Sequence, residues 1–121
     1  MMTHLVPQQK PLFWIGSSFK DLCDDGIFTI DARRAAGYQL RQVQRGEDPD
    51  DWKPFDEVGA GTKEIRIKQP DGAYRLIYVA KFDEAIYVLH CFKKKTPKTS
   101  LKDKELTTQR YKKMLLSRIK T

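Results

Sequence analysis

The chain has 121 residues, 40% of them hydrophobic and 32% charged, with a formal net charge of +7. That length suits one domain over residues 1–121 with a modest core, not two. No apolar run approaches the roughly 20 residues of a bilayer span, and Met1 to Pro7 lacks a basic segment leading into a long apolar stretch. The expectation is therefore a cytoplasmic protein without membrane contact.

Residues 1–9 read as a flexible N-terminus. Lys10 to Ile15 is a short apolar run ended by Gly16, a strand pattern. Ser18-Phe-Lys-Asp21 has the Ser-x-x-Asp form of a helix start, in which the hydroxyl takes a free backbone N–H and the acid suits the positive helix end. Asp24-Asp25-Gly26 closes that short helix. A longer helix is predicted from Ile27 to Arg45, because Phe28, Ala32, Ala36, Leu40 and Val43 recur at spacings of four and three. Gly37 within it is read as permitting close packing on a sheet, and Gly46 as its stop.

Glu47 to Gly61 is polar, carries Pro49, Pro54, Gly59 and Gly61, and reads as a loop of about 15 residues pinned by Trp52 and Phe55. Thr62 to Lys68 alternates: Ile65 and Ile67 lie on one face, Glu64, Arg66 and Lys68 on the other. Pro70-Asp71-Gly72 makes a tight turn. Ala73 to Phe82 and Ala85 to Phe92 are apolar on both faces, so they are expected as central strands covered on both sides. Ser100-Leu-Lys-Asp103 repeats the helix-start pattern, and residues 102–119 form a basic helix whose apolar face is Tyr111, Met114, Leu115 and Ile119. The order β-α-α-β-β-β-α argues for an α+β fold, a mainly antiparallel sheet with helices on one face.

The charge is unevenly placed. From Lys93 to Thr121 there are 11 Lys/Arg against 2 Asp/Glu, a local charge of +9, whereas residues 1 to 92 carry −2. Such asymmetry at a strand end suits a polyanion, most simply RNA or DNA. Walker and dinucleotide loops are absent, no Gly-x-Ser-x-Gly nucleophile motif occurs, and the two Cys and two His lack zinc spacing. Cys23 and Cys91 are expected as reduced, buried thiols. No metal and no cofactor is expected.

What remains is a basic constellation. If the strands pair in order, Arg66 and Arg75 are neighbours in the first hairpin, and the second hairpin returns Lys93, Lys94 and Lys95 to the same end. Such a cluster binds phosphates. It also suits RNA cleavage without a metal, in which the 2′-OH attacks phosphorus while cations stabilise the phosphorane and a lysine of lowered pKa takes the proton. Plainer readings stand beside these. Arg75 pairs with Glu64 or Asp71, Arg66 is a solvated face residue, His90 is a hydrogen-bonded core residue, and the lysines serve solubility.

Six segments carry a family resemblance: Trp14-Ile-Gly-Ser-Ser-Phe-Lys-Asp-Leu22, Gly37-Tyr-x-Leu40 with Gln44-Arg-Gly46, Asp48-Pro-x-Asp-Trp-Lys-Pro54, Glu64-Ile-Arg-Ile67, Tyr74-Arg-Leu-Ile-Tyr-Val79 and Val88-Leu-His-x-Phe-x-Lys-Lys95. In this order they resemble the phage-derived Gp49-like, HigB-type toxins of the RelE/ParE superfamily, from about residue 10 to residue 119. The resemblance implies a RelE-like fold with two N-terminal helices packed on one face of the sheet and a C-terminal helix. It implies the toxin of a type II toxin–antitoxin system that cleaves mRNA on the ribosome. It also implies a helix-turn-helix (HigA, Cro/cI-type) antitoxin as partner. Carried over residue by residue, Arg75 falls on a position that stabilises the scissile phosphate and Arg66 on the basic position of the preceding strand; the cation after the last strand falls among Lys93 to Lys95, with Lys94 the choice. Some relatives use a lysine as proton acceptor where this chain has Arg66, a far poorer base. Lys68, His90, Lys93, Lys95 and Lys98 are then expected to contact nucleic acid. The superfamily also holds gyrase-poisoning members, so a non-catalytic ParE-like inhibitor of DNA gyrase stands as the alternative, with a plain RNA-binding module as a third.

Overall fold

Alternation and helical spacing become two apolar layers on either side of one sheet. The structure, a computed structural model, describes residues 9–119. The elements are β1 (Leu12–Trp14), α1 (Ser18–Leu22), α2 (Ile30–Gln44), β2 (Trp52–Pro54), a 3₁₀ turn (Asp56–Val58), β3 (Thr62–Gln69), β4 (Gly72–Val79), β5 (Ile86–Lys94) and α3 (Leu101–Ile119). The strands lie in the order β1-β5-β4-β3-β2. β1 runs parallel to β5 and every other pair is antiparallel, so the five-stranded sheet is mixed. The expectation for residues 1–9 lies, save residue 9, outside the described residues.

One face of the sheet carries Ile65, Ile67, Tyr74, Leu76, Tyr78, Ile86 and Val88. Against it pack Leu22 of α1, Phe28, and Ala32, Ala36, Leu40 and Val43 of α2. The opposite face carries Ile77, Val79, Tyr87 and Leu89, and it takes Tyr111 and Met114 of α3 with Phe55 and Val58. The third helix therefore does not join the first two on one face. Central strands that are apolar on both sides need both sides covered, and β4 and β5 are the strands so covered. Leu115 packs against the second layer, while the side chain of Ile119 lies outside the described residues.

Local chemistry explains where the helices begin. Thr29 caps α2 by accepting the N–H of Ala32 at 3.1 Å, so the helix starts at Ile30 rather than Ile27. Gly46, at φ +86°, ends it. Among the described residues Gly37 makes no close approach to the sheet: a Cβ there would meet the Arg41 guanidinium, at 3.9 Å. Ser18 does not cap α1. It is buried and donates instead to the Val88 carbonyl at 3.0 Å, tying α1 to β5, while Ser17 donates to Asp21 at 2.8 Å. At α3 the expected cap is present, since the Asp103 N–H donates to Ser100 Oγ at 3.1 Å and Ser100 Oγ donates to the Asp103 carboxylate at 2.7 Å. Cys91 is buried as expected; Cys23, also expected to be buried, caps the end of α1 and is exposed.

The segment read as a long loop holds β2 and the 3₁₀ turn. Tyr111 of α3 lies across it, donating to the Ala60 carbonyl at 2.7 Å, and its ring occupies the space where a Cβ on Gly59 would stand. Gly59→Ala is therefore expected to destabilise the fold by about 1–3 kcal/mol through overpacking, read as a lowered midpoint in thermal or urea unfolding.

Candidate active site

Period-two alternation puts Glu64, Arg66 and Lys68 on one face of β3 and Ala73, Arg75 and Ile77 on the same face of β4. The register sets Arg66 directly opposite Arg75 and Lys68 opposite Ala73. β5 runs two residues past its expected end, bringing Phe92 opposite Arg75 and Lys94 opposite Ala73. Arg66, Arg75 and Lys94 thus share one face, with Lys68 exposed at its end. Beside them opens a hollow of about 340 Å³ lined by Ala73, Arg75, Lys94, Lys95, Thr96 and Pro97. A larger hollow, about 580 Å³, lies where the chain turns out of β5; it shares Lys94, Lys95 and Thr96 and adds Ile27, Phe92, Lys93, Lys98 and Asp103.

Two arginines facing each other across a ladder repel, and each has an acid. Arg66 Nε donates to Asp51 Oδ1 at 3.1 Å, a pair partly exposed on both sides. Exposed pairs contribute about 0–1 kcal/mol, so a phosphate can replace Asp51 at little cost. Arg75 is 9% exposed, and its Nε lies 3.6 Å from Oε1 of Glu64, which is 0% exposed. Arg75 Nη1 donates to the Tyr74 carbonyl at 3.0 Å, which fixes the plane of the guanidinium. The Lys94 ammonium is pushed below the ordinary lysine range by burial and then by Arg75; Lys53 and Arg66 act in the same direction and Glu64 against it.

The other expected contacts are dispersed. Lys93 projects to the opposite side of β5, where it reaches Asp71 at 3.0 Å and lies over the Tyr74 ring, and the Asp71 bond holds its pKa up. Lys95 and Lys98 are exposed on the segment leading to α3. His90 lines neither hollow. A register shift in the β4–β5 ladder sets it opposite Ile77, on the α3 side, where it is 5% exposed. Its Nε2 bonds Asp103 at 2.7 Å and its ring stacks on Phe92 at 4.6 Å. Burial pushes its pKa down against the pull of Asp103.

Two further residues converge on the site without having been anticipated. Lys53, opposite Glu64 across the β2–β3 pair, places Nζ 3.7 Å from Glu64 Oε1. Thr99 donates to Glu64 Oε2 at 3.2 Å. Glu64 itself was foreseeable as a partner of Arg75, since the two share a face.

The sequence profile of the family described as Phage derived protein Gp49-like (DUF891) matches residues 27–112. The chain belongs to this family. Gp49-like proteins are a RelE/HigB-like toxin family. The match spans α2 through most of α3 and so contains Arg66, Arg75 and Lys94, together with Asp51 and Glu64, the carboxylates beside the two arginines. No curated protein and no solved structure matches the chain significantly. In this Gp49-like chain no helix among the described residues is long and apolar enough to cross a membrane. Among those residues, too, no three His, Cys, Asp or Glu side chains gather in a way that could hold a metal ion.

Proposed function

We propose that this Gp49-like chain is the toxin of a type II toxin–antitoxin pair, with a RelE-like arrangement, and that it cleaves mRNA on the ribosome. The supporting observation is that Arg66, Arg75 and Lys94 share one sheet face, where Arg75 and Lys94 line an open hollow. The scissile phosphate sits on the planar forks of Arg75 and Arg66, which match two of its oxygens. Neutral Lys94 takes the proton of the 2′-OH, the 2′-oxygen attacks phosphorus, and the arginines stabilise the charge of the phosphorane. The bond to the 5′-oxygen breaks, and that oxygen takes a proton from a neighbouring ammonium or water. The products are a 2′,3′-cyclic phosphate and a 5′-OH. The cations supply the electrostatic stabilisation, so the scheme uses no metal or cofactor.

Lys68, Lys95, Lys98 and the basic side of α3 bind ribosomal RNA in this scheme, and a helix-turn-helix antitoxin silences the protein. His90 acts from within, holding Asp103 and the start of α3, rather than touching RNA. Lys93, engaged by Asp71, contributes charge at a distance. Inducible expression with mapping of mRNA 5′ ends tests the reading. Cuts at a fixed position within codons of translated frames, lost when translation initiation is blocked, are the expected result. DNA damage without RNA cleavage overturns it in favour of gyrase inhibition.

A further inference from the structure

Glu64 is a fully buried carboxylate on the face that carries the cations, and four elements meet at it. It belongs to β3, Lys53 approaches it from β2 at 3.7 Å, Arg75 from β4 at 3.6 Å, and Thr99 donates to it at 3.2 Å from the segment between β5 and α3. Oε2 is hydrogen-bonded. Among the described residues Oε1 and Arg75 Nε, both buried, have no hydrogen-bond partner, and they face each other across the 3.6 Å gap. A buried carboxylate is expensive unless it is paired and hydrogen-bonded. An apolar residue beside Ile77, its cross-strand partner, would stabilise the sheet more simply. The charge is therefore retained where its one clear effect is on the direction of the neighbouring cations.

Resting on the cleavage reading above, we propose that Glu64 is the positioning residue of the site. Its carboxylate aims Arg75 into the hollow and, through Thr99, holds the lysine-bearing segment 95–98 over the substrate. Glu64 touches no substrate itself. It draws the Nε edge of the guanidinium toward itself across the 3.6 Å gap while Nη1 rests on the Tyr74 carbonyl, which leaves the Nη2 side of the fork for phosphate. It also tethers the end of the segment that supplies Lys95 and Lys98 to the hollows.

The two halves separate experimentally. Glu64→Gln removes one negative charge among the cations without changing shape. Ribosome-dependent cleavage by the purified protein is expected to fall at least tenfold in kcat, while KM for programmed ribosomes stays level or drops, because the site becomes more positive. Thr99→Val leaves the Arg75 pair intact and frees the segment, so KM rises several-fold with kcat nearly unchanged. Folded fraction is measured for both variants by circular dichroism. A kcat loss for Glu64→Gln that merely tracks its unfolded fraction, or an unchanged KM for Thr99→Val, overturns the proposal. Should Glu64→Gln fail to fold, Thr99→Val alone decides it. Arg75→Lys, run in parallel, keeps the two readings apart. Wild-type cleavage by Arg75→Lys removes the Arg75 fork on which the cleavage reading rests, whereas its inactivity together with wild-type kinetics for Glu64→Gln and Thr99→Val defeats only the role of Glu64.

Discussion

Arg75→Lys is expected to reduce ribosome-dependent mRNA cleavage about 100-fold or more, with growth inhibition lost and the fold kept. Removing one preorganised donor from a developing oxyanion typically lowers kcat by about 10²–10³. Lysine keeps a cation beside the buried Glu64 but lacks the planar fork that engages two phosphate oxygens at once. Alanine is the less informative change. Arg75 and Glu64 are buried together, and breaking a buried pair from one side costs about 3–5 kcal/mol, so an inactive Arg75→Ala protein confounds lost chemistry with lost stability. Single-turnover cleavage on programmed ribosomes, alongside urea unfolding of both variants, separates the two. Full cleavage by a folded Arg75→Lys protein removes the fork from the mechanism.

Much of this arrangement is written in local sequence. Alternation from Glu64 to Lys68 and the turn at Pro70-Asp71-Gly72 fix which side chains of β3 and β4 share a face, and the observed register agrees. The doubly apolar β4 and β5 announce layers on both sides, even though helix order alone suggested a single covered face. What escaped lacks a local signature. β2 is three residues long, too short to show a period, and it exists because Trp52 and Lys53 find partners on β3. The parallel pairing of β1 with β5 joins segments more than 70 positions apart. Ser18 carries the same motif as Ser100, yet burial against Val88 gives its hydroxyl a different partner. The face of His90 depends on one ladder irregularity, which periodicity cannot anticipate. The site divides along the same line. Arg66, Arg75 and Lys94 follow from pattern, whereas Lys53, Thr99 and the burial of Glu64 follow from tertiary assembly.

The identity of the proton acceptor leads to the second large expected effect. An arginine side chain is not a workable proton acceptor in a protein, so a base at position 66 is excluded by chemistry. Lys94 is a cation in the cluster whose pKa is pushed down, by burial first and by Arg75 next. If its neutral amine takes the 2′ proton, only the deprotonated fraction works, and below the pKa that fraction grows tenfold for each unit of pH. The cleavage rate of the wild-type protein is therefore expected to climb with unit slope through neutral pH and to level off below the pH at which an ordinary lysine titrates. Lys94→Arg keeps the charge, the phosphate attraction and the approximate length, but it cannot deprotonate. Its rate is expected to fall about 10²–10⁴-fold, the usual contribution of a positioned base, and to lose the slope, while ribosome binding and its salt dependence stay close to wild type. Lys95→Arg, one residue further on and exposed, keeps the slope. A Lys94→Arg protein that cleaves at the wild-type rate with the wild-type pH profile rules out Lys94 as the base and leaves it as one more phosphate contact.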